Sequence, residues 1–123
     1  MIKLECAHFI KSYKGKCRRL HGHTYTVVVL KPFEKLDRKN MAKDFKELEN
    51  DKYVNKFYVE IEEELDHKNL NQVFGEKNLT VEILARGLYL VACRYIDEDF
   101  GILVQEGNGG FCFFDGKRWW LGK

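Results

Sequence analysis

The sequence predicts an α+β domain in which two helices cover one face of a four-stranded antiparallel sheet. Three observations predict it. His23 to Leu30 (HTYTVVVL) is rich in β-branched residues, a strand signal. Apolar residues recur at helical spacing from Asp44 to Leu65 and again from about Asn78 to Tyr95. Two apolar runs, 101–106 and 111–115, flank Gly107-Asn-Gly-Gly110, a tight connection between strands.

Taken in order, residues 2–9 alternate in polarity and read as the first strand. Residues 11–19 are polar and basic and read as a loop. His23–Leu30 is the second strand, an antiparallel neighbour of the first, and Pro32 ends it. Phe45, Leu48, Val54, Phe57, Ile61 and Leu65 mark the first helix, with an interruption near Asn50-Asp51. Asn78 or Thr80 caps the second helix. The 101–106 and 111–115 runs complete a β-β-α-α-β-β order. A sheet this small has exposed edges, so a homo-oligomer is expected.

The 123 residues suit one domain, 1–123, with no linker or repeat. A hydrophobic share of 45% supplies a core, and a net charge of +2 gives no general attraction for nucleic acid. No run approaches the roughly 20 apolar residues of a membrane span, and the N-terminus lacks a signal-peptide core. A cytoplasmic protein is expected, with neither nucleic acid nor membrane as partner. Its four cysteines are then reduced. Cys6 and Cys112 are expected to pack within strands and Cys93 to be buried in the second helix.

Three of the four histidines cluster around the first hairpin. His21 and His23 are two residues apart on a strand, so both imidazoles face one point. His8, on the preceding strand, can add a third nitrogen. Three imidazoles leave a zinc ion one open position, the catalytic pattern. Cys17 lies four residues before His21 among Lys11, Lys14, Lys16, Arg18 and Arg19. Neighbouring cations favour a thiolate, as metal ligand or base. The same cations suit either solvent or a polyphosphate. Asp66-His67 follows the first helix and offers a carboxylate-supported proton carrier, or a cation at the helix end. Glu106 ends a strand, and a carboxylate there can accept two parallel hydrogen bonds from an amino-pyrimidinone edge.

These motifs resemble a known family. Cys17-Arg-Arg-Leu-His21-Gly-His23 resembles the CxxxHGH signature of 6-carboxytetrahydropterin synthases, within the 6-pyruvoyltetrahydropterin synthase superfamily. Cys6-Ala-His8, Lys43-Asp44-Phe45, Leu65-Asp-His-Lys-Asn-Leu-Asn71, Asn78-Leu-Thr80-Val-Glu82 and Val104-Gln-Glu106 resemble further family motifs in the expected order. The resemblance implies a T-fold and zinc on His8, His21 and His23. It implies Cys17 as base with Asp66 and His67, and Glu106 as pterin anchor beside Thr80. It implies a pterin triphosphate substrate, 7,8-dihydroneopterin triphosphate, in queuosine precursor synthesis. It also implies a hexameric or trimer-based assembly with sites at subunit boundaries. Three residues between cysteine and HGH resemble the carboxytetrahydropterin enzymes; the biopterin-forming ones have five. Departures are Leu4-Glu5 for Phe-Ser, Cys6 for alanine, Leu79 for proline, Gly107 for threonine and an unusual tail with Trp119-Trp120.

Overall fold

A computed structural model describes residues 1–123. Five strands form one antiparallel sheet in sequence order: β1 (Ile2–His8), β2 (His21–Leu30), β3 (Gly101–Glu106), β4 (Phe111–Phe114) and β5 (Trp119–Gly122). Between β2 and β3 lie α1 (Phe45–Glu49), α2 (Lys52–Leu65), α3 (Leu70–Phe74) and α4 (Val81–Ala92). The expected α+β class stands, with five strands rather than four. α1 and α2 are the two parts of the expected first helix, broken at Asn50-Asp51, α4 is the expected second helix, and α3 is a short addition.

The break before α2 has a local cause. The Asp51 carboxylate accepts from the amides of Tyr53 (3.0 Å) and Val54 (3.2 Å), which starts a new helix. Thr80 does the same for α4 through the Ile83 amide (3.2 Å). α2 buries Val54, Phe57, Ile61 and Leu65, and α4 buries Leu84, Ala85, Leu88 and Ala92. Both stripes pack on the sheet face carrying Leu4, Cys6, Tyr25, Val27, Ile102, Val104, Cys112 and Phe114. α4 ends earlier than expected, and Cys93 at its C-cap is exposed. The expectation of a buried Cys93 is therefore corrected: at helical spacing it falls off the stripe of Leu84, Ala85, Leu88 and Ala92 and faces solvent. Cys6 and Cys112 are buried as expected, which pushes their thiols up to about 12 and about 11.

The opposite sheet face has no helix. Across it Val28, Leu103, Phe113 and Trp120 stand opposite one another in register, an apolar row from β2 to β5. β1 is shorter than β2, its pairing ending at Ile2 opposite Val27. Beyond that end the Val29 amide donates to the Tyr58 hydroxyl at 2.9 Å, so a side chain of α2 replaces the missing strand. Tyr58→Phe should lower stability by about 1 kcal/mol, read as a reduced urea midpoint with an unchanged slope. An unchanged midpoint would show that water serves that amide equally well.

Candidate metal centre and ligand pocket

The sheet's inner face changes character along its length. Strand alternation that buries Tyr25 and Val27 also points His23 and His21 inward, and on β1 it aligns His8 with Cys6 and Leu4. His8 pairs directly with His21, and Cys6 with His23. The three rings therefore converge, with centroids 4.6 to 5.1 Å apart. One ligating atom from each lies within 4.8 Å of the others.

Outer contacts set the tautomers. His8 Nδ1 lies 2.7 Å from the Leu79 carbonyl and His21 Nδ1 lies 2.6 Å from the Arg19 carbonyl. A carbonyl only accepts, so each Nδ1 carries a proton and donates it. Burial lowers the pKa of His8 and keeps it neutral, leaving its Nε2 lone pair free. The Nε2 atoms of all three histidines are buried and without a hydrogen-bond partner. An unpaired buried acceptor costs on the order of 1–3 kcal/mol, so three facing one another destabilise the fold unless a cation fills the space. Nδ1–H donation to a backbone carbonyl is the usual support of a metal-ligating histidine. The donor set thus fits a metal ion. The fourth orphaned atom is the Tyr25 hydroxyl, whose ring lies edge-on to His8 and His23 at 5.7 and 5.8 Å. The sequence reading passed over Tyr25 as an ordinary strand residue.

Glu106 arrives from β3, directly opposite Tyr25. Its carboxylate oxygens lie 3.3 Å from His23 Nε2 and 3.8 Å from His8 Nε2. It also borders a cavity of about 480 Å³ whose other walls include Val81, Glu82, Phe111, Leu121 and Lys123. Thr80 supplies the helix cap above this cavity, and the neighbouring Val81 and Glu82 line it. Gly107 follows with φ +57°, a conformation glycine adopts freely and threonine does not, and its amide donates to Thr24 at 2.8 Å. Leu79 likewise uses an amide that proline lacks, donating to Phe9 at 3.2 Å. The larger cavity, about 940 Å³, lies among Lys31, Glu98, Phe113 and Lys117 and holds none of the expected site residues.

Asp66 and His67 do pair, because the helix ends first. Asp66 turns extended after Leu65, and His67 takes a left-handed φ of 60°. His67 Nδ1–H then donates to Asp66 at 2.9 Å, leaving Nε2 for chemistry. The Glu5 amide donates to the other Asp66 oxygen at 2.8 Å, and with His67 it holds that carboxyl below the usual range. His67 N–H in turn donates to the Glu5 carbonyl at 2.6 Å, tying the segment to the free edge of β1. The imidazole is 78% exposed and borders a cavity of about 450 Å³ with Glu5, Thr24 and His23. Cys17 is half-buried in a 3₁₀ turn, Lys16–Arg18, and is not among the walls of that cavity. Its carbonyl accepts from Ile10 at 2.8 Å, which folds the basic loop back onto the strand carrying His8. Lys11, Lys14, Lys16, Arg18 and Arg19 are all exposed. One chain thus assembles the three histidines and Glu106, and places His67 at the sheet edge.

The chain is similar to known proteins. Residues 1–100 match the family model described as 6-pyruvoyl tetrahydropterin synthase. The chain is 30% identical over 124 residues to the 6-carboxy-5,6,7,8-tetrahydropterin synthase of Bacillus subtilis (strain 168), covering 95% of this chain and 83% of that protein. It is 31% identical over 94 residues to the protein of that name from Synechocystis sp., covering 72% of this chain and 67% of the relative. No helix is long and apolar enough to cross a membrane.

Proposed function

Because the chain belongs to the 6-pyruvoyl tetrahydropterin synthase family, we propose that it is a zinc-dependent lyase converting 7,8-dihydroneopterin triphosphate and water to 6-carboxy-5,6,7,8-tetrahydropterin, acetaldehyde and triphosphate. The names of the relatives support the product, as does the three-residue spacing between Cys17 and His21. The observation that carries the reading is the convergence of three unpartnered imidazole Nε2 atoms beside Glu106. Such a set, with one position left open, suits zinc.

His8, His21 and His23 would hold the ion. Bound there, it supplies Lewis acidity that eases deprotonation of hydroxyls on the substrate's side chain. Glu106 accepts the N–H edge of the pterin and fixes the ring. Cys17 removes a carbon-bound proton, and His67, oriented by Asp66, carries a proton to or from the same side chain. The exposed cations from Lys11 to Arg19 hold the departing triphosphate. Cys17 does not line the cavity that His67 borders, which supports a site shared between copies of the chain. The apolar row Val28–Leu103–Phe113–Trp120 on the helix-free face supports a homo-oligomer.

Zinc-loaded protein should release acetaldehyde from 7,8-dihydroneopterin triphosphate. Cys17→Ala should slow release by about 100-fold or more while zinc content holds. No acetaldehyde, with Cys17→Ala equal to wild type, would sink the assignment. The family model's own name favours a second reading, 6-pyruvoyltetrahydropterin formation from the same substrate. The product's mass separates the two, and tight pterin binding without turnover would mark a non-catalytic homologue.

A further inference from the structure

The cavity beside Glu106 has one wall that no motif accounts for. Glu106, Val81 and Glu82 come from β3 and the first turn of α4. A further wall is β5 and the residue after it, which with β3 and β4 lie outside the residues matched by the family model. Leu121 pairs with Cys112, so it shares the helix-bearing face, and it borders the cavity. At 68% exposed it is an apolar side chain left open beside a carboxylate-ended cleft.

β5 is held there by contacts directed at α4. The Trp119 indole N–H donates to the Glu82 carbonyl at 2.9 Å, and its ring packs on Phe114 at 4.9 Å. Arg86 of α4 lies over the same ring, 5.6 Å from its centroid. The hairpin leading in is set by Asp115, whose carboxylate accepts from the amides of Lys117 (2.8 Å) and Arg118 (2.9 Å) and from the Trp120 indole (3.1 Å). Trp119 therefore fixes the distance between Leu121 and the α4 turn that borders the same cavity.

We propose that Leu121 is a specificity-determining wall of the ligand pocket, closing on one side of a planar nitrogen heterocycle anchored by Glu106, and that Trp119 positions it. This rests on the pterin reading above. A flat ring needs an acceptor at its N–H edge and apolar cover beside it. Glu106 provides the first, and Val81 and Leu121 provide the second.

The test is equilibrium binding of neopterin to the zinc-loaded protein, followed by pterin fluorescence, with zinc content and melting temperature as controls. Leu121→Ala should weaken binding about 10-fold, and Leu121→Trp should block it, with both controls unchanged. Trp119→Phe, which keeps the ring but loses the indole N–H, should weaken binding by an intermediate factor. Wild-type affinity in both Leu121 variants, with Glu106→Gln defective, would overturn the wall and leave the pterin reading standing. No neopterin binding by the wild-type protein would overturn both.

Discussion

Replacing His8 by alanine should leave purified protein without a stoichiometric metal ion. Loss of an outer-shell partner alone typically lowers metal affinity about 10–100-fold, and loss of a ligand exceeds that. His8 is the most enclosed of the three, 2% exposed, and its imidazole is aimed by the Leu79 carbonyl. Dialysis against a weak chelator followed by metal analysis reads the effect. Added zinc should raise the melting temperature of wild type by mass action and leave the His8→Ala melting temperature where it was. Retention of one ion per chain by His8→Ala, and by the corresponding His21 and His23 variants, would refute the ligand set.

The second large effect concerns Asn71, 4% exposed and one of two buried polar residues. Its Oδ1 accepts from the Phe9 amide at 2.8 Å. Its Nδ2 donates to the carbonyls of Phe9 at 2.8 Å and Glu76 at 2.9 Å. One side chain thus satisfies both backbone groups of Phe9, the residue after His8, and joins them to the segment ahead of α4. Asn71→Ala should cost about 2 kcal/mol, because it removes three hydrogen bonds and leaves the half-buried Phe9 amide unpaired, although the Phe9 carbonyl keeps the Leu79 N–H. Asn71→Asp should cost as much, since a carboxylate cannot donate to the two carbonyls. Urea unfolding measures both, and a loss under about 1 kcal/mol in either variant would mean water replaces the amide.

Much of this was legible in the residues. Period-two alternation located His8, His21 and His23 on one face, and period-3.6 spacing located α2 and α4. The fifth strand escaped because Trp119 to Gly122 shows no alternation. Its signal was the turn before it, Asp115-Gly116, a dipeptide that favours hairpins; Gly116 has φ +97°. The pairing of Asp66 with His67 was not readable, because it depends on the helix ending at Leu65 and on a positive φ at a histidine. The convergence of Glu106 on two histidines needed the β2–β3 register, which pattern alone does not give. Cys93 lies within the apolar span that predicted α4 but out of phase with its buried stripe, which composition alone does not show.

The inward face of the sheet has a consequence for quality control of the fold. Val27 meets Val104 and Tyr25 meets Glu106 through the same β2–β3 ladder, and the β1–β2 ladder brings His8 to His21. A slip of one residue between β1 and β2 would turn the inward side chains of β1, His8 among them, to the other face relative to β2. Leu4 and Cys6 of the core and His8 of the three-histidine group would be lost together, so a misaligned chain that still collapsed would lack the full group. A metal ion held by these histidines would therefore be a proofreading signal: its retention through purification would report the β1–β2 alignment, which compactness and helix content alone do not.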